Sequence, residues 1–341
     1  QSGKYDITVL TRSEAHVAKF QELGVSTIIG SLDSEEILVK AASEADAVLN
    51  LADADNLAAV QHLIKGLKSS SRRSKKIFIH TSGSAIVADM ARGEYASNKI
   101  FTVANMDEIH ALPLVFPRRG VDNYIFENSQ GLQTMIVCPP TIYGVGTGPF
   151  NRLSQQVPGL MKAFLGFGYA ATIGNGSNMW SHVHIEDLAS FYVLLLEKAL
   201  AGQTATGRDG FYFLESGEHA WKDVVVKVAE ELHKRGAIKQ AEVGRYTTEE
   251  VDKFFGMMGW IGIGSNSRVK AEKARKLGWR PKSGRVGILE SVGSEIDVLL
   301  AATKGQEAGG AQAEQVAEKP KGSVICTWYR KIFGKKEQQC A

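Results

Sequence analysis

Short apolar runs alternate with longer segments of helical periodicity through the first half of the chain. Ile7–Leu10, Ser26–Ile29, Ala47–Leu51, Ile77–His80 and Gln133–Cys138 are apolar through most of their length, as strands buried on both faces are. Between them apolar positions recur every three or four residues. Glu14–Leu23 predicts a helix closed by Gly24. Ser34 is placed to cap a second helix, with Ile37, Leu38, Ala41, Ala42 and Ala45 on one face. Leu57, Val60, Leu63, Ile64 and Leu67 mark a third, and Asp122–Ser129 a fourth. Uniformly apolar strands separated by helices predict an α/β, doubly wound parallel sheet covered on both faces.

After Phe150 the pattern changes. Residues 150–178 are rich in Gly and aromatics and leave room for one helix. Helices are then predicted over Asp187–Leu200, Trp221–His233, Val269–Leu277 and Val286–Ala302, with a strand at Gly210–Leu214. The expected organisation is a sheet domain over residues 1–149 and a smaller C-terminal lobe over 150–304. Segment 181–214 of that lobe returns to the main sheet. A Gly/Ala/Gln/Glu-rich tail over 305–341 is expected to be disordered.

A chain of 341 residues is long enough for one large unit with an attached lobe. The net charge is only +3, and beyond Gly305 six Lys/Arg stand against four Glu. The body is therefore close to neutral, which argues against nucleic-acid binding. No apolar run approaches the ~20 residues of a membrane span. The tail's Trp328, Tyr329, Ile332 and Phe333 with their basic neighbours are too short and too weakly charged a set to predict stable membrane insertion. The basic Ser69–Lys76 stretch reads as a solvated connection. Cys138, Cys326 and Cys340 are sparse and lack metal-ligand spacing, which fits a reducing, cytoplasmic setting with Cys138 in the core.

Four segments carry a family signal. They are Leu-Gln-Thr-Met-Ile-Val-Cys-Pro-Pro-Thr-Ile-Tyr-Gly over 132–144, Val-His-Ile-Glu-Asp-Leu-Ala over 183–189, Asn-Ser-Arg over 266–268, and Lys-Leu-Gly-Trp-Arg-Pro over 276–281. In this order and spacing the chain resembles, over residues 4 to 300, the extended and atypical short-chain dehydrogenase/reductase superfamily of the NAD-dependent epimerase/dehydratase type. The resemblance implies a Rossmann-like sheet with a substrate lobe. It also implies an NAD(P)-dependent oxidoreductase or epimerase acting on a carbonyl or alcohol carbon of a small molecule, and it allows a homodimer. The alternative is a regulator or sensor that binds NAD(P) without turnover.

The resemblance also assigns residues. An Arg beyond the strand at 7–10 suits a ribose 2′-phosphate where a carboxylate would suit a free hydroxyl, so Arg12 points to NADP(H), with NAD(H) the alternative. Leu32 and Asp33 would flank the adenine, and Asn50, Leu51 and Ala52 would form the wall beneath the cofactor. Thr81, Pro139 and Thr141 complete the implied contacts. Chemistry in the superfamily uses a Tyr as acid/base, a Lys four residues on, and a Ser or Thr that orients the substrate oxygen. Thr81, Ser82 and Ser84 fall at the Ser/Thr position, with Ser82 the candidate, while Tyr95 and Lys99 have the spacing of the pair. Yet Tyr95 precedes Gly131 by 36 residues, with Pro113 and Pro117 between them. Counted back from Gly131, the family positions fall near Pro113 and Pro117–Arg118. The pair is therefore expected to be displaced onto a loop, with Arg118 or Arg119 as the substitute charge. Ser84, Tyr143, Trp180 and His182 are expected to line the substrate pocket, and Glu186 and Asp187 to cap the helix after them.

Two apparent motifs carry no assignment. His182 and His184 share a strand face, but no third ligand accompanies them and no metal is expected. Gly256, Gly259 and Gly262 have phosphate-loop spacing, but they follow a helical segment where a phosphate loop follows a strand. No glycine-rich loop precedes the strand at Ile7–Leu10. The fold's first strand and glycine loop are thus expected to be missing. That would leave unpaired main-chain groups between 7–10 and 47–51, and a chain that is unstable or free of cofactor.

Overall fold

The structure, a computed structural model, describes residues 3–72, 75–114, 116–282 and 286–308, with side chains to residue 303. The first part of the chain forms β1 (Thr8–Thr11), α1 (Val17–Glu22), β2 (Ser26–Ile29), α2 (Glu35–Glu44), β3 (Ala47–Asn50), α3 (Leu57–Ser69) and β4 (Lys76–Thr81). It continues through α4 (Met106–Ala111), α5 (Arg119–Glu127), β5 (Leu132–Cys138) and β6 (Thr141–Tyr143). Then come α6 (Gln156–Phe167), β7 (Ala170–Thr172), β8 (Met179–His184), α7 (Ile185–Leu200), β9 (Phe211–Phe213), β10 (Gly217–Ala220) and α8 (Trp221–Lys234). β11 (Val243–Arg245), α9 (Thr248–Phe254), α10 (Met257–Gly262), α11 (Glu272–Lys276) and α12 (Ile288–Ala308) complete it.

The main sheet has the order β3-β4-β5-β9 and is parallel throughout. Alternation of side chains sends Phe78, Ile136, Cys138, Phe211 and Phe213 toward Leu38 and Ala42 of α2, Ile64 and Leu67 of α3, and Ile125 of α5. It sends Ile77, Ile79, Met135, Val137 and Tyr212 to the other face, against Leu188, Phe191 and Leu195 of α7 and the indole of Trp279. Both faces are therefore covered, as the uniformly apolar strands predict.

One expected neighbour is not in this sheet. β1 pairs only with β2, in parallel from Thr8↔Ser26 to Thr11↔Ile29, as a separate two-stranded sheet. Among the described residues no strand bridges β1 and β3. Whereas β4 is buried along nearly its whole length, β3 is only half-buried before Asn50. An open strand edge leaves N–H and C=O groups without ladder partners.

Several local expectations need correction. Glu14–His16 is a 3₁₀ turn, and α1 starts only at Val17. Ser34 occupies the cap position of α2, but its hydroxyl accepts from Ser31 N at 3.2 Å and from no helical N–H. Leu57 is 37% exposed, because it opens α3 before the helix reaches the core. His184 caps α7 by accepting from Glu186 N at 3.2 Å, which leaves Glu186 and Asp187 inside the first turn. The helix expected over 269–277 shrinks to α11, because Phe101 N donates to Arg268 O and Lys270 N to Phe101 O in an extended bridge. The glycines at 256–262 lie at the start of and within α10, consistent with the absence of a leading strand. Residues 305–308 continue α12 up to the Gly309-Gly310 pair, so the helix enters the stretch assigned to the tail. The remaining tail, with Cys326, Cys340 and the aromatic basic segment, lies outside the described residues.

The second core joins β6-β8-β10 and the β7–β11 pair to α6, α8 and α12 through Val157, Phe164, Trp221, Val228, Val292 and Ile296. Among the described residues no helix is long and apolar enough to cross a membrane.

Gly66 lets α3 touch α2. A Cβ at this position would lie 2.4 Å from Val39 O and 2.7 Å from Ala42 Cβ. Gly66→Ala gains about 1 kcal/mol of helix propensity, yet overpacking costs about 1–3 kcal/mol. The substitution is therefore expected to lower the urea midpoint at unchanged slope. A raised midpoint would show that the two helices are free to separate.

Candidate functional site

β4 and β5 deliver the site to the carboxyl rim of the main sheet. Beyond β4, Ser82 N donates to Val137 O at 2.8 Å and Ser84 N to Pro139 O at 2.9 Å, which extends the pairing past the strand ends. Ser82 then donates its hydroxyl to Asp122 Oδ2 at 2.8 Å, with both residues buried. Asp122 comes from the first turns of α5. Burial pushes its carboxyl up to about 7, while the Ser82 hydroxyl and the Arg119 and Arg118 charges pull the other way. Its Oδ1 has no partner among the described residues.

Arg118 precedes α5 in the left-handed region, with φ 66°, and its N–H donates to Asp55 Oδ1 at 2.9 Å. Its guanidinium lies over Gly83, where a Cβ would come within 3.0 Å of Arg118 Cζ. Arg119 is buried and donates Nη2 to His110 O at 3.0 Å. Asn50, at the end of β3, donates its amide to His80 Nδ1 at 3.1 Å. Burial, helped by the Arg118 charge, lowers the His80 imidazole to about 3 and keeps it neutral. Cys138 lies beneath, its thiol pushed up by burial.

The other expected cofactor residues ring this rim. Arg12 follows β1 and is exposed. Past β2, Leu32 is half-buried and Asp33 exposed. Leu51 stands 54% exposed beyond β3, with Ala52 exposed beside it. The Thr81 hydroxyl hydrogen-bonds that of Tyr192. Thr141, after Pro139, is buried with its Oγ1 unpartnered among the described residues.

The expected substrate-pocket residues are spent on internal contacts. The Ser84 hydroxyl lies 2.8 Å from that of Ser267. Tyr143 OH donates to Val286 O at 3.0 Å, and burial raises it to about 12. Trp180 Nε1 donates to Ser265 O at 2.7 Å. His182 Nδ1 lies 3.2 Å from His219 Nδ1, and burial lowers its imidazole to about 4. Among the described residues no three His, Cys, Asp or Glu side chains gather as a metal set.

Tyr95 is 51% exposed on a loop, with Asp89 at its hydroxyl. Lys99 Nζ pairs with Glu108 and lies 4.6 Å from the Phe101 ring centroid. Pro113 and Pro117 sit in the non-helical link between α4 and α5. Asn266-Ser-Arg268 pins that loop. Asn266 donates to Asp89 Oδ2 at 2.9 Å and accepts from Ser97 N at 3.0 Å, while Arg268 donates to Ser97 O at 2.8 Å. Between the loop and this clamp lies a cleft of about 250 Å³, bounded by Val87, Asp89, Lys99, Phe101, Phe116 and Arg268.

A parallel sheet covered by helices on both faces, with polar side chains at its carboxyl rim, defines a Rossmann-like nucleotide-binding fold. The chain belongs to the NAD dependent epimerase/dehydratase family, whose model matches residues 1–206. It is 29% identical over 301 residues to oxidase ucsJ of Acremonium sp., covering 82% of this chain and 86% of that protein. In fold it is similar to UDP-glucose 4-epimerase from Thermotoga maritima, with TM-score 0.58, 15% identity and coverage of 88% and 92% of the two chains. It is likewise similar to dTDP-glucose 4,6-dehydratase DesIV from Streptomyces venezuelae, solved with NAD and DAU bound, with TM-score 0.59, 16% identity and coverage of 89% and 90%.

The raised carboxyl of Asp122 sets a sign for stability. Its folded value, about 7, lies above the ordinary aspartate range, so the folded state holds a proton that the unfolded chain gives up. Stability from this group is present at low pH and is lost as pH climbs toward about 7, by on the order of 4 kcal/mol in all. Asp122→Asn is expected to flatten that decline, seen as urea midpoints that converge between mildly acidic and mildly alkaline buffer. A decline as steep as that of the native chain would place the proton elsewhere.

Proposed function

We propose that this protein is an NAD(P)-dependent oxidoreductase or epimerase acting at a carbonyl or alcohol carbon of a small molecule, with NADP(H) the preferred cofactor. The observation that carries the reading is Ser82 at the rim of β4, hydrogen-bonded to a buried acid and flanked by the Arg118 guanidinium. Such a serine can orient a substrate oxygen, and a neighbouring cation stabilises the negative charge that develops there. The residues present also fit a dinucleotide. Leu51 and Ala52 expose apolar surface at the rim, Thr141 has a hydroxyl with no partner among the described residues, and the exposed Arg12 offers a guanidinium for a 2′-phosphate. In this reading residues 1–149 carry the cofactor, and the lobe over 150–304 closes the substrate cleft through Asn266 and Arg268.

The Tyr95–Lys99 pair takes no part in this reading, since Lys99 is paired with Glu108 and Tyr95 faces outward. That same placement favours the second reading, NAD(P) binding without turnover. Oxidation of NADPH followed with aldehydes, ketones and sugar nucleotides separates the two. Turnover of any member supports the enzyme, and tight NADPH binding with no turnover across the panel supports the sensor.

The cofactor preference rests on one side chain. Arg12→Ala is expected to weaken NADPH binding about tenfold or more, as loss of a charge-assisted phosphate contact does, and to leave NADH binding unchanged. Equal loss for both cofactors would overturn the 2′-phosphate role.

The gap between β1 and β3 is the seat, in this proposal, of one further parallel strand leading into a glycine-rich phosphate turn. Its support is the separation of β1-β2 from β3-β4-β5-β9 and the half-buried state of β3. A chain with an apolar strand and a Gly-x-x-Gly-x-x-Gly turn placed ahead of Gly3 is expected to melt higher and bind NADPH more tightly than the 341-residue chain. Identical affinity and melting would show that the two sheets need nothing between them.

A further inference from the structure

Reduction of a carbonyl needs a proton at oxygen as well as a hydride at carbon, and the outward-facing Tyr95 is not placed to give one. We infer that Ser82 and Asp122 form a proton relay, in which Ser82 touches the reacting oxygen and Asp122 holds the proton behind it. The inference rests on the oxidoreductase reading above and adds to it the acid that the displaced tyrosine no longer supplies.

Three observations carry it. Ser82 Oγ and Asp122 Oδ2 are 2.8 Å apart, so the serine donates to the carboxylate, and the neutral acid, protonated on Oδ2, donates back to Ser82 Oγ across the same contact. Asp122 is fully buried, and its Oδ1 has no partner among the described residues. A carboxylate in that position would leave a charged oxygen bare, whereas a neutral acid leaves only a weak acceptor, at much lower cost. Arg118 lies over Gly83, beside the serine, with its Nε also unpartnered, so a positive charge stands ready to favour the carboxylate once the proton has left. The carboxyl raised to about 7 agrees with this arrangement, because an acid that titrates near working pH can both give and take.

In the reducing direction a nicotinamide held at the rim would supply the hydride for the carbonyl carbon, and the residues of this chain handle the proton. The carbonyl π pair moves to oxygen, which takes the Ser82 hydroxyl proton. Ser82 recovers a proton from Asp122 across their hydrogen bond, and Asp122 is left as a carboxylate until a solvent proton returns to it through Ser82 once the product has left. One hydride and one proton thus convert the carbonyl to the alcohol, and oxidation runs the same path backward. Asp122 is a positioning residue in this scheme, since it acts only through Ser82.

Two measurements on the whole chain test the relay. In the cofactor-free protein, infrared difference spectra should show a protonated carboxyl band that titrates near pH 7 and is absent from Asp122→Asn. With NADPH and benzaldehyde or phenanthrenequinone as probes, the reduction rate should fall as pH rises through that midpoint. Asp122→Asn should cut the rate about 100-fold or more and abolish the inflection, with NADPH affinity retained. Asp122→Glu should restore part of both rate and inflection, and Tyr95→Phe should leave the rate unchanged. A full rate with its inflection intact in Asp122→Asn overturns the relay, and so does a rate lost in Tyr95→Phe. If NADPH binds but no probe is reduced, the oxidoreductase reading fails on its own account. The relay is then decided by the infrared band, whose absence overturns it and whose titration near pH 7 sustains the proton store.

Discussion

The pairing of β4 with β5 continues past the ends of both strands, and the site depends on that continuation. Ser82 N to Val137 O and Ser84 N to Pro139 O hold the chain in register as far as Ser84, beyond the end of β4. The first bond puts Ser82 against Asp122, and the second turns Ser84 toward Ser267. Each is worth about 1 kcal/mol net, but leaving such buried groups unpaired costs about 1–3 kcal/mol. The rim therefore cannot relax without a penalty. A serine on an ordinary surface loop would sample many rotamers. Here its main chain is fixed by the sheet and its side chain by a buried acid from a different layer.

Much of the sheet was legible in the chain because burial on alternate faces is a local property. The apolar runs at 47–51, 77–80 and 133–138 became β3, β4 and β5 with shifts of one residue, and Val60, Leu63, Ile64 and Leu67 point inward as their spacing requires. The place of Ser82, a polar residue just beyond a buried strand, was legible as well. The acid that it meets was not. Asp122 lies 40 positions away and reads locally as an acid in a helical first turn, a common and structurally bland placement. The signal that was present is the clustering of Arg118, Arg119 and Asp122 at the start of one helix, although Arg118 itself precedes α5 in a left-handed turn. His182, expected to line the pocket, likewise meets a distant partner, His219 of β10, 37 residues on.

The Asn266-Ser-Arg268 motif shows how a family signature can be structural and still shape function. All three side chains bind backbone or side-chain groups of the 84–97 segment, and Arg268 is in turn held by a bidentate pair with Glu218 at 2.8 and 3.1 Å. A planar fork matched to a carboxylate in a half-buried setting fixes orientation as well as charge. The clamp borders the cleft, so a change at Arg268 would alter its width without touching the rim of the sheet.

Arg118 brings backbone and charge together. A non-glycine residue in the left-handed region costs on the order of 1–3 kcal/mol, and such a conformation persists only where its surroundings fix it. Here Asp55 accepts the Arg118 N–H at 2.9 Å, and the Arg118 carbonyl accepts Asp122 N at 2.9 Å as the first bond of α5. The strained residue is thus tied on one side to the loop after β3 and on the other to the acid of the site. That geometry carries the guanidinium back over Gly83, where an added Cβ would come within 3.0 Å of its Cζ. A helix running unbroken through this position would point the same side chain along α5 and away from the serine. The prolines at 113 and 117, which prevent a continuous helix here, therefore allow the turn that brings a cation to the rim.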